Sequence, residues 1–245
     1  LQELNVVGKK IITVEDPVEY RLHRINQVQV NPKINLTFAK VLRASLRQDP
    51  DILLVGEIRD TETAEIALRA AMTGHLVLST LHTNDAVSSA MRLVDMGAES
   101  FLAATALRAV VAQRLVRRLC DNCYIDYTPT GQELGWLAGL MGQERASALK
   151  LKQASGCHRC NNTGYRGRIG IFEMLILNEE MSDALRRASS SDFVRAAKRS
   201  KGYIPLVMSA LEDAESGITS LDEVFRVAEQ IDELGELEVS AEEAF

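Results

Sequence analysis

Four apolar residues in unbroken succession, Ile52, Leu53, Leu54 and Val55, constrain the fold of this chain more than any other feature. A strand that is apolar on both faces needs cover on both faces, the situation of a central strand in a parallel sheet. Gly56 follows, so the backbone can turn and carry Glu57 out of the strand end. The surrounding pattern fits the same architecture. From residue 10 to about 119, KIITVED, DILLVGE and HLVLSTLH read as strands, and TFAKVLRASLRQ, TETAEIALRAAMTG and DAVSSAMRLVDMG read as helices. Strand and helix patterns in turn imply parallel βαβ units, hence an α/β fold. Thr37 opens a helix that ends before Asp49-Pro50, Thr61 precedes a helix stopped by Gly74, and Asp85 precedes one stopped by Gly97.

Open α/β sheets bind ligands at the carboxyl ends of their strands. Glu57 stands at such an end, with Asp49, Asp51, Arg59 and Asp60 adding charge around it. A carboxylate there can accept a proton from a water attacking a phosphate, or orient that water. The alternative is a buried strand followed by an exposed charged turn. IITVEDPVEY places Glu15 and Asp16 just past a second apolar strand, with Pro17 closing it and Glu19 following, so two adjacent strands present carboxylates on one edge. The third strand has His75 at its start and His82 just after its end, so only His82 shares that edge. Each histidine is either a functional group beside phosphate and carboxylate or a hydrogen-bonded structural residue. Arg43 and Arg47, four apart on one helical face, either clamp phosphates and reach a neighbouring subunit or are solvated surface residues.

The 245 residues, 46% of them hydrophobic, can bury one large core with a smaller appendage. A net charge of -6 argues against broad attraction to nucleic acid or anionic lipid. No apolar run approaches the roughly 20 residues that span a bilayer, and the N-terminus lacks the pattern of a signal peptide, so a cytoplasmic location is expected. All 4 cysteines fall between positions 120 and 160. Cys120 with Cys123 and Cys157 with Cys160 form two CxxC pairs, each able to bring two thiolates from a tight turn to one tetrahedral zinc, while His158 and Asn122 sit inside those turns and are not ligands. A redox pair is the alternative. GYRGRIGIFEML follows, and its Arg166 and Arg168 either reach nucleotide or a neighbouring subunit or tip a surface hairpin. The expected division is a core over 1–119, a tetracysteine zinc subdomain over 120–170 with a helical patch at 143–153, a helical part over 171–229, and an acidic, mobile tail over 230–245.

At this point the chain resembles a known family. ITVEDPVEY is similar to the acidic box, LRQDPDILLVGEIRD to the Walker B region and GHLVLSTLHTNDA to the histidine box of the bacterial ATPases that drive type II secretion and type IV pilus assembly. The resemblance runs over 11–227, and EDPVEY, INQVQVNP and AQRLVRRLC are most similar to the pilus-extension and type II secretion branches, including the mannose-sensitive haemagglutinin pilus type. It implies a RecA-like P-loop core, hydrolysis of ATP with Mg2+, a homohexamer, and an inner-membrane platform protein as partner of a cytoplasmic motor peripheral to that membrane. No nucleic acid is expected. The resemblance assigns water activation to Glu57, support of magnesium or that water to Glu15, Asp16 and Glu19, nucleotide approach to Arg43 and Arg47, coupling to the adjacent subunit to His75 and His82, and proximity to nucleotide to an arginine near Arg166 and Arg168. Gly56 stands where many P-loop enzymes carry a magnesium-linked aspartate. No glycine-rich phosphate loop occurs in the sequence, since Gly8-Lys9-Lys10 lacks the spaced glycine and the hydroxyl residue, so a C-terminal fragment, inactive alone, is expected. A non-hydrolysing assembly or zinc-ribbon module is the alternative, and a nucleic-acid translocase a third.

Overall fold

A computed structural model of the chain describes the backbone of residues 1–242 and the side chains of residues 1–231. Strands β1 (Ile11–Glu15), β2 (Asn26–Gln29), β3 (Ile52–Val55) and β4 (Leu76–Ser79) form one sheet in the order β2-β1-β3-β4, parallel throughout. Ile11, Ile12, Thr13 and Val14 are all buried, as are Ile52, Leu53 and Val55, so β1 and β3 are covered on both faces. Helix α1 (Phe38–Ser45) sets Val41 against Val14 and Val30, while Ile11, Ile25 and Ile52 pack together with Leu22. Ile11 and Val14 point to opposite sides of β1, so the two clusters cover the two faces. Helices α2 (Thr61–Met72) and α3 (Ala86–Asp95) follow β3 and β4. Asp85 caps α3 as the sequence predicts, but α2 is capped one residue earlier than Thr61, by Asp60, whose carboxylate accepts from the Thr63 amide at 2.8 Å.

The chain divides into two units, the first comprising Leu1–Val110 with Leu175–Lys201 and the second Val111–Met174 with Gly202–Phe245. Besides the sheet, the first holds α4 (Ser100–Ala106) and two later helices. The chain passes to the second unit within β5 (Ala109–Leu119). There β6 (Ile125–Tyr127), α5 (Gly131–Met141), α6 (Gln143–Ala148) and β7 (Leu151–Gln153) follow, with β6 and β7 paired antiparallel. It returns within β8 (Tyr165–Ile176), paired with β5, to form α7 (Glu179–Arg186) and α8 (Ser190–Arg199), and closes in the second unit with α9 (Leu206–Glu215) and α10 (Leu221–Glu242).

The two units divide inside the long strands β5 and β8. One expected element needs correction. The helical patch expected at 143–153 ends at Ala148, and Leu151–Gln153 is a strand. A helix occupies the glycine-rich Gly131–Met141, where Thr130 and Glu133 form a capping box that offsets glycines costing about 1 kcal/mol each in a helix. The backbone beyond 230, expected as a mobile tail, is helical to Glu242, and residues 243–245 lie outside the described residues.

Candidate active site and metal centre

The parallel register brings the carboxyl ends of β1 and β3 level, with Val14 opposite Val55. The Gly56 amide extends this pairing by donating to the Val14 carbonyl at 2.7 Å. A Cβ on residue 56 would lie 3.1 Å from that carbonyl oxygen and 3.3 Å from the Glu15 Cα. Gly56 has no positive φ, so glycine is needed here for the close approach of β1 rather than for turning freedom. A side chain at 56 would require β1 to give by a few tenths of an ångström.

Past this point the strand ends open into a cleft of about 420 Å³ lined by Glu15, Asp16, Pro17, Glu19, Leu54, Gly56, Glu57, Arg59, Thr80 and His82. Thus Glu57, Glu15, Asp16, Glu19 and His82, distant in sequence, share one cavity. The Glu57 carboxyl is 11% exposed, and its Oε2 accepts from Arg59 Nε and lies 3.2 Å from His82 Nε2. Glu15 is held in a similar one-sided way. Its Oε1 accepts from the Thr13 hydroxyl at 2.5 Å and from Gln27 Nε2 at 2.9 Å. Gln27 also donates to the Tyr20 carbonyl at 2.9 Å and accepts from the Leu22 amide at 2.7 Å, which ties the loop carrying Asp16 and Glu19 back to β2. Four carboxylates face one guanidinium in the cleft, so a bare polyphosphate is repelled and a divalent cation is attracted. The carboxylates do not converge into a group of metal ligands among the described residues.

The other site candidates lie elsewhere. His75 sits at the far end of β4, where its Nδ1 lies 2.8 Å from the Ala70 carbonyl and 3.1 Å from the Thr73 hydroxyl, closing the end of α2. That placement separates His75 from Glu57 by the length of the strand. Arg43 pairs with Glu62 at 2.8 Å and Arg47 donates to the Arg43 carbonyl, and neither lines the cleft. Arg166 and Arg168 are exposed on the second unit. Conversely, Arg59, Thr80, Thr13 and Gln27 belong to the cleft region without having been assigned a role from sequence. Arg59 was visible as a charge beside Glu57; Thr80 and Gln27 gave no signal, because their roles depend on bonds to other strands.

In the second unit the sulfurs of Cys120, Cys123, Cys157 and Cys160 lie within 4.8 Å of one another. Cys120 and Cys157 are 3.9 Å apart, Cys123 and Cys160 3.8 Å, and Cys157 and Cys160 3.8 Å. A tetrahedron with zinc–sulfur bonds of about 2.3 Å has edges of about 3.8 Å, so the donor set fits zinc; a disulfide needs about 2.05 Å. The backbone supports thiolates. Cys160 Sγ accepts from the Cys157 amide at 3.1 Å and the Gly164 amide at 3.2 Å, and Asn122 donates to Cys157 Sγ at 3.5 Å. Burial raises the Cys160 thiol, but the Cys157 and Gly164 amides together with the Cys157 and Cys123 sulfurs outweigh it and bring it to about 6, whereas burial pushes the Cys123 thiol up to about 12. Gly164, with φ +76°, lets its amide come this close, and a Cβ there would lie 2.4 Å from the Ala154 Cβ.

Residues 1–226 match the family model described as type II/IV secretion system protein. The chain belongs to this family. The type II secretion system ATPase E of Vibrio cholerae is 45% identical over 231 residues, which cover 94% of this chain and 45% of that protein. The type IV pilus assembly ATPase PilB of Thermus thermophilus is 46% identical over 224 residues, 91% of this chain and 25% of that protein. The crystal structure of the pilus retraction motor PilT with bound ADP superposes with a TM-score of 0.65 at 26% identity, over 92% of this chain and 55% of that one. The α/β fold described above is therefore shared with the pilus retraction motor PilT. The chain spans about half or less of the length of these relatives.

Proposed function

We propose that this chain is the C-terminal motor portion of a hexameric ATPase that powers type IV pilus assembly or type II secretion, working on an inner-membrane platform protein from the cytoplasmic side. The observation that carries this reading is the placement of Glu57. Its carboxyl is nearly buried at a strand end, one oxygen is occupied by Arg59 and His82, and it lines a cleft shared with three further carboxylates. In this reading Glu57 accepts the proton of the attacking water. Glu15, Asp16 and Glu19 hold a hydrated Mg2+, which when bound neutralises phosphate charge. His82, exposed and in contact with the same Glu57 oxygen, reports on the occupancy of the cleft to whatever lies beyond it. Arg43, Arg47, Arg166 and Arg168 lie outside the cleft, so contact of theirs with nucleotide requires a neighbouring subunit. The four cysteines hold zinc and staple the second unit. Without a phosphate loop, residues 1–245 alone do not hydrolyse ATP.

The test is ATP hydrolysis by a longer form of the protein that includes a phosphate loop, with and without Glu57→Gln. Loss of turnover in the variant by a factor of about 100 or more supports the reading, in line with removal of a catalytic acid or base. A longer form that binds nucleotide and leaves it intact makes the chain a non-hydrolysing assembly module instead.

A further inference from the structure

The turn that carries Glu57 leaves the sheet directly after Val55, so regular pairing no longer fixes it. A single residue just past the end of the next strand, β4, takes over. The Thr80 hydroxyl donates to the Gly56 carbonyl at 2.6 Å, and the Thr80 carbonyl accepts from the Ile58 amide at 3.1 Å. These bonds grip the peptide groups on both sides of Glu57. Ile58, 8% exposed, anchors the same turn in the core, and the Gly56 amide is already held by Val14. The direction of the Glu57 Cα–Cβ bond is thereby set from outside the residue. Arg59 and His82 then meet only Oε2 of the carboxyl.

We propose that Thr80 is a positioning residue, a two-point clasp that fixes the aim of the Glu57 carboxyl into the cleft. This role rests on the hydrolytic reading of the cleft given above. Its chemistry is specific. Valine matches the shape of threonine and lacks the donor, whereas serine keeps the donor and loses only a methyl group. A residue that merely fills space is replaced better by valine than by serine; a clasp behaves the other way round.

Two measurements test the clasp. In the longer form that includes a phosphate loop, Thr80→Val lowers kcat about tenfold, the equivalent of one hydrogen bond, with little change in KM for MgATP, and Thr80→Ser recovers most of the loss. In the present chain, without nucleotide, Thr80→Val speeds hydrogen exchange at the Ile58 amide and Thr80→Ser does not. The proposal is overturned by a kcat for Thr80→Val close to wild type, by a rise in KM at unchanged kcat, by equal losses in the valine and serine variants, or by unchanged exchange at Ile58. A wild-type longer form that turns over no ATP removes the hydrolytic reading itself, and the exchange measurement alone then decides whether Thr80 holds the turn.

Discussion

Glu223 at the start of α10 is a carboxylate with no exposed side-chain surface, and it ties that helix to β5. It accepts from the Arg117 amide at 2.7 Å and Arg117 Nε at 3.0 Å on β5, and from Arg226 Nε at 3.1 Å and Nη2 at 2.7 Å on its own helix. Replacing it by alanine leaves the Arg117 amide without its acceptor and two guanidinium groups without their anion. Breaking a buried pair costs about 3–5 kcal/mol; the side chains of Arg117 and Arg226 are 50% and 40% exposed and rehydrate, which places Glu223→Ala at the lower end, about 3 kcal/mol. At about 2–4 °C per kcal/mol for a chain of this size, the transition falls by about 6–12 °C. The single tryptophan supplies the assay, since Trp136 on α5 lies 4.7 Å, centroid to centroid and tilted by 56°, from Phe225 on α10, and its fluorescence reports this unit. The pH dependence has a definite sign. Burial raises the Glu223 carboxyl, but the Arg226 and Arg117 bonds outweigh it and hold it below its ordinary value of 4.5. A group depressed in the folded state contributes stability above its unfolded value and loses it as pH falls through the folded one, so the advantage of wild type over Glu223→Ala shrinks below about pH 4.5. A midpoint shift under about 2 °C at neutral pH, or parallel acid profiles for the two proteins, refutes the reasoning.

Three further outcomes follow from the geometry. Metal analysis is expected to find one zinc per chain, and its removal by a chelator lowers the Trp136 transition and exposes four titratable thiols; metal-free protein with an unchanged transition refutes the assignment. Gly164→Ala adds a Cβ that would overlap Ala154 at a backbone φ of +76°, so thermal unfolding is expected to show a loss of about 1–3 kcal/mol together with weakened zinc retention. Leu53→Ala, at a fully buried position in β3, is expected to cost about 2–5 kcal/mol by denaturant titration, with the spread set by how far the sheet collapses onto the cavity.

Much of the sheet was legible in the sequence because its strands are apolar on both faces. The runs at 11–15, 52–55 and 76–79 announce themselves, and each falls in register with its neighbour. β2 did not, since Asn26–Gln29 is polar and exposed at its ends, and only pairing with β1 makes it a strand. The clustered cysteines were equally plain, because a CxxC turn brings two sulfurs together locally. His75 stands at the opposite end of β4 from His82, as the order of residues implies, and only the fold shows its ring nitrogen against the Ala70 carbonyl at the end of α2.

Which residues carry charge at strand ends, and which sulfurs can meet in a turn, is written in the order of the residues, because strand periodicity and turn geometry act over a few residues. By itself the sequence thus determined the α/β class, the two carboxylate-bearing strand ends and the two CxxC turns. Tertiary structure alone decided that Arg59 and His82 meet the same oxygen of Glu57, that a Cβ at Gly56 would crowd the Val14 carbonyl, and that Thr80 closes on the turn from just past the adjacent strand. Those relations depend on register between strands far apart in the chain, and register is set by packing of the whole sheet.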